Sequence, residues 1–190
     1  RKSIIEEEVD FLLQNEVRLI VSDIPFLVFE AAKECGIPNL GLGNFTWDWI
    51  YRAYATDDVR WRPLIEWIKG EYSKCELFLQ LPMHGDCSAC PYIRDVPLIA
   101  RRAKRKPEIT RRILGCEPGR KAYLISFYSL QLEQEALRRL EKLDHVLFFY
   151  KYPLSYSLRN GRCLDEFDLS YVDVAAAMDG VITKPGYGIV

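Results

Sequence analysis

Six short apolar runs alternate with longer stretches of helical spacing along this chain, and that alternation restricts its folds more than any other feature. Residues 18–22, 39–43, 76–81, 122–127, 146–150 and 180–183 each read as a buried strand, rich in Ile, Val, Leu, Phe and Tyr or in small residues. Helical patterns separate them. Ile5, Val9, Leu12 and Leu13 fall on one stripe before the first strand, with the acids Glu6 to Glu8 opposite. Pro25 suits a first helical turn and Gly36 a helix end, which predicts a helix over 25–35. Further helices are predicted over 47–55, 61–72, 107–114 and 170–178, and around Leu132, Ala136, Leu137 and Leu140. Strand, helix, strand with brief connections is the parallel βαβ unit, so the fold class is α/β. The first three strands are expected in one parallel sheet and the last three in another.

The boundary between the two sets falls in residues 82–107, which hold four prolines, a Cys-x-x-Cys pair and the basic run from Arg101 to Lys106. The predicted organisation is two Rossmann-type halves, 1–97 and 98–190, with the basic run as a solvated linker face. The 26 basic and 27 acidic residues nearly cancel, so no overall field draws the chain to nucleic acid or to an anionic membrane. No apolar run reaches the roughly 20 residues that span a bilayer, and the acidic start is unlike a signal peptide, so a cytoplasmic location is expected. Six cysteines in so apolar a chain are expected to stay reduced and metal-free. Cys87-x-x-Cys90, with His84 and Cys75, offers a zinc alternative that lacks a second pair. His145 reads as structural.

In open parallel sheets ligands bind beyond the carboxyl ends of strands, and four such places carry suitable side chains. Asp23 follows the first strand, either as a base that orients a sugar hydroxyl or as a cap of the next helix. Asn44, Thr46, Trp47 and Asp48 follow the second. Polar groups among aromatics suit a carbohydrate, whereas Trp47 and Trp49 also suit a core, and Asn44 or Thr46 a cap. Ser126 lies at the end of the fourth strand, ahead of a helix start that favours phosphate, although no glycine accompanies it. Thr183, Lys184, Gly186 and Gly188 end the last strand with a hydroxyl, a cation and two glycines, an anion cradle or a plain turn.

Two stretches carry a family resemblance. The run from Val21 to Pro25, continued through Ala31, Gly36 and the segment from Asn44 to Tyr51, resembles the N-terminal half of the glycosyltransferase-like domain of plant and bacterial L-arabinokinases and related bacterial proteins. The stretch from Val181 to Val190 resembles its nucleotide-side loop, and Asp95 to Leu98 with Leu124 to Phe127 are similar to its domain junction and the first strand of its second half. That family is similar in turn to the transferase that adds N-acetylglucosamine to the lipid-linked peptidoglycan precursor. The resemblance implies a GT-B architecture: acceptor on the first half, UDP-sugar on the second, across a cleft, with no metal or other cofactor. It implies catalysis by a helix dipole, backbone N–H groups and basic side chains that stabilise the departing diphosphate. The chain departs from the pattern in three ways. The family's first strand and glycine-rich loop would lie before Arg1, Tyr128 stands where relatives place glycine, and the helix expected after Gly188 is absent. A chain of this extent is therefore expected not to turn over substrate alone. The alternative is a non-catalytic nucleotide-sugar or sugar-binding module beside a sugar kinase domain.

Overall fold

The structure, a computed structural model, describes residues 2–127, 134–151, 158–184 and 186. The chain divides into two compact units, Arg1–Ile99 and Ala100–Val190.

The first unit opens on helix α1 (Lys2–Gln14) and alternates β1 (Ile20–Ser22), α2 (Leu27–Cys35), β2 (Asn39–Gly43), α3 (Trp47–Arg52), α4 (Tyr54–Asp57), α5 (Arg62–Tyr72), β3 (Leu77–Gln80) and β4 (Ile93–Asp95). The strands form one parallel sheet in the order β1-β2-β3-β4. Two apolar clusters build its core. Phe29, Ile68, Tyr72, Cys75 and Phe78 form one, and Ile5, Leu12, Ile20, Ala31 and Ile37 the other. The α1 stripe holds at Ile5 and Leu12, but Leu13 is 60% exposed, because one step along a helix turns a side chain about 100° away from its neighbour. Gly36 ends α2 in the left-handed region (φ 65°), which glycine alone enters without steric cost.

The second unit contains α6 (Pro107–Ile113), β5 (Lys121–Ser126), α7 (Gln134–Glu141), β6 (Val146–Tyr150), β7 (Gly161–Cys163), α8 (Tyr171–Ala177) and β8 (Gly180–Thr183). Its parallel sheet has the order β7-β6-β5-β8. Along β6, Leu147 and Phe149 enter one cluster while Val146, Phe148 and Tyr150 enter another. A strand alternates faces, so this pattern means that both faces of the sheet are covered. The fold is thus an α/β arrangement of two Rossmann-like halves.

Each sheet gains a fourth, edge strand that the sequence pattern did not announce. β4 lies inside the proline-rich stretch read as the junction, and β7 lies before α8. The basic run also differs from a free linker. The backbone N–H groups of Lys104 and Arg105 donate to Asp173 Oδ1 at 2.7 and 2.9 Å, which pins the run to the start of α8 while its basic side chains stay exposed.

Candidate functional site

In the first unit the loops after β1, β2 and β3 are bound to one another. Tyr72, fully buried at the end of α5, donates from its hydroxyl to the Ile24 carbonyl at 2.7 Å and accepts from the Trp47 N–H at 3.3 Å. Burial pushes its phenol well above the usual range, so it remains a protonated donor. Ile24 is held at φ 67°, a left-handed conformation that a β-branched side chain rarely adopts. Its methyl lies over Gly43, where a Cβ would come within 2.5 Å of it. The Gly85 N–H donates to the Asn44 carbonyl at 2.7 Å, and the Thr46 hydroxyl to the Asp86 carbonyl at 3.1 Å.

Around this frame the expected residues separate. Asp23 is exposed just beyond β1 and caps nothing, since Phe26 precedes α2 without a side-chain bond. Asn44 is half-buried, Thr46 and Asp48 are buried, and Trp47 packs against the core edge-on to Phe45 and stacked on Tyr51. Thr46 occupies the N-cap position of α3 but gives its hydroxyl to the β3 loop instead of the helix. Asp48 Oδ2 and Asp86 both accept from Arg52, at 3.2 and 2.6 Å, while Asp48 Oδ1 is buried without a hydrogen bond. Bonds from Ser88 and Arg52 hold the Asp86 carboxyl down at about 2. Tyr72, Arg52 and Asp86 were not singled out from sequence, because their partners lie up to 48 residues away.

In the second unit the geometry converges at one point. β6 and β7 extend the sheet on one side of β5 and β8 joins the other, so the strand order reverses between β5 and β8. Such a switch point is where open α/β sheets leave a crevice for ligand. Ser126 and Thr183 end those two strands, paired in register, and the Thr183 hydroxyl donates to the Ser126 carbonyl at 3.1 Å. The Ser126 and Tyr171 hydroxyls share a hydrogen bond. Lys184 and Gly186 are exposed directly beyond, and a Cβ at Gly186 would meet nothing within 4 Å. Gly188 lies outside the described residues. Beside Tyr171, a hollow of about 210 Å³ is lined by Lys151, Asp165, Phe167 and Leu169. Lys151 and Tyr171 escaped the sequence reading. The signal for Lys151 was its position one residue past a strand.

Cys75, Cys87 and Cys90 gather in the first unit's core, while His84 is exposed. Burial raises the Cys87 thiol to about 11, and a hydrogen bond between Cys75 and Cys90 lowers the first and raises the second. Among the described residues no three His, Cys, Asp or Glu side chains are arranged to hold a metal ion. Among the same residues no helix is long and apolar enough to cross a membrane.

No protein-family model matches the chain. It is 30% identical over 128 residues to the L-arabinokinase of Arabidopsis thaliana, a stretch that takes in 67% of this chain and 12% of that protein. The similarity marks a distant relationship, in which the chain spans a small part of its relative.

Proposed function

We propose that this chain belongs to a glycosyltransferase-like protein of GT-B type, in which the second unit binds the diphosphate of a nucleotide-sugar, of the UDP class by resemblance, and the first binds the acceptor. The observation that carries the reading is the convergence of Ser126 and Thr183 at the strand-order switch of the second sheet, with Tyr171 bonded to Ser126 and Lys184 just beyond. Hydroxyls and a cation at that place suit a phosphate. Lys151 is a second cation on the same rim. In the first unit, Asp23 and Asn44 carry the polar groups that an acceptor can reach. Thr46, Trp47 and Asp48 support the loop. A cytoplasmic location accompanies this reading.

Titration calorimetry with UDP tests it. Lys184→Ala is expected to cost about 1.5 to 3 kcal/mol of binding, the range for a hydrogen bond to a charged group. Gly186→Val fills space that is open in the free protein, so it is expected to leave folding intact and to block approach of the ligand backbone-close. Unchanged affinity in both variants would reduce this loop to a turn. A second reading, a non-catalytic sugar-binding module, is favoured by one observation: the matched relative is named as a sugar kinase and the shared stretch is a small part of it. UDP binding without any sugar transfer by the whole protein would select the module.

A further inference from the structure

Beyond the strand-end loops, residues 51–64 build a surface of a different kind. Asp58 adopts an extended conformation and accepts from the Arg60 N–H at 3.0 Å, which turns the chain through a short 3-10 segment, Val59–Trp61. The turn returns Trp61 onto the rings of α3 and α4. Its centroid lies 5.4 Å from Tyr51 at 23° and 5.3 Å from Tyr54 at 31°. Tyr51 in turn stacks on Trp47 at 5.7 Å, and both pack against the buried cluster. A continuous ladder of rings therefore runs from the core outward, anchored at one end and ending on Tyr54, which is 54% exposed.

An open hollow of about 370 Å³ lies against Trp61, with Leu64, Asp58 and Arg60 as its other walls. That size falls in the range of about 300 to 1,000 Å³ usual for small-molecule sites. Arg60 Nε donates to both Asp58 carboxylate oxygens, at 2.9 and 3.0 Å, and Nη2 lies 2.8 Å from Oδ2. The pair cancels its own charge. A phosphate or carboxylate would meet Asp58 as well as Arg60, so the hollow favours an uncharged ligand. Yet both groups keep bonding capacity, as a carboxylate has about four lone-pair sites and a guanidinium five N–H donors. Vicinal hydroxyls can therefore accept from the guanidinium and donate to the carboxylate while a C–H face lies on the indole.

We propose that Trp61 and Leu64, with the Asp58–Arg60 pair, form a binding platform for a neutral saccharide, built from residues other than those of the strand-end loops. The rigid ladder presents its rings at little entropic cost, and the fork pairing fixes the polar edge against them.

The test uses the full chain and three neutral trisaccharides, cellotriose, xylotriose and arabinotriose, with trigalacturonate as the anionic comparison, read by calorimetry and saturation-transfer NMR. At least one neutral trisaccharide is expected to bind saturably, and Arg60→Ala and Trp61→Ala each to weaken it about tenfold or more, the loss of one bidentate partner or of the indole face. Arg60 is exposed, so circular dichroism should be unchanged in its variant, whereas Trp61→Ala removes a ladder ring and counts only with an unchanged spectrum. No saturable binding by any neutral trisaccharide, or binding untouched by Arg60→Ala, overturns the platform. Tighter binding of trigalacturonate than of the neutral sugars overturns the charge argument and the proposal with it.

Discussion

A single hydroxyl shows how much of the first unit's edge rests on one residue. Tyr72 joins the Ile24 carbonyl, which sits in a conformation unfavourable to isoleucine, to the Trp47 N–H at the start of α3. Tyr72→Phe keeps the ring among Phe26 and Phe29 but leaves both backbone groups without this partner. A buried polar group left unsatisfied costs about 1–3 kcal/mol, so the variant is expected to lose stability in that range in urea unfolding, with an unchanged m-value. Equal stability of variant and wild type would mean that the loop is held by its packing. The neighbouring residues illustrate how a polar motif divides its work. Of the polar groups in the Asn44 to Asp48 segment, Thr46 and Asp48 turn inward to the Asp86 loop and to Arg52, and Asn44 stays half-exposed. The sequence singles the segment out but does not tell which members face water, because that depends on a loop 40 residues on.

Strands with an apolar or small-residue run were readable wherever they lie in a sheet, and the two short strands without one were not. β2, β6 and β8 occupy the residues their apolar or small-residue runs predicted: β2 and β6 lie between two neighbours, whereas β8 sits at its sheet edge with Val181 and Ile182 half-exposed and is marked by its run alone. β4 and β7 are three residues each at sheet edges, β4 exposed throughout, and only their hydrogen bonds to β3 and β6 define them. The junction between α8 and β8 was legible as the gap between a predicted helix and a predicted strand, but its dense bonding was not. Asp179 accepts from the Ala122 N–H at 2.8 Å and pairs with Arg111 and Lys121, which together hold its carboxyl at about 2. A carboxyl depressed in the folded state contributes stability above its unfolded value of about 3.9, and that contribution is lost as pH falls toward 2. Asp179→Asn keeps the shape and removes the charge. Its stability deficit relative to wild type is expected to be constant from pH 7 to about 5 and to shrink between about 4 and 2, where wild type itself becomes neutral. Urea midpoints across that range check this, and a deficit independent of pH would show that the charge is irrelevant.

At the scale of the whole molecule, the two units have different sheet orders, and the proposed division of work between them rests on that difference. The first sheet adds its described strands in sequence, β1-β2-β3-β4, so no reversal opens between neighbours; the second reverses at β5 and β8. A nucleotide diphosphate is therefore expected to act on the second unit. Ligand that binds the folded state stabilises it by mass action, by about 2.7 kcal/mol at a hundred times its Kd, and slows amide exchange in the elements it touches. Hydrogen exchange with saturating UDP should then protect the strand ends at Ile125 and Ser126 and at Ile182 and Thr183, together with the first turn of α8 through Tyr171. The first unit's strands should exchange as they do without ligand. Protection confined instead to the loops after β1 and β2 would move the nucleotide to the first unit and reverse the assignment of donor and acceptor.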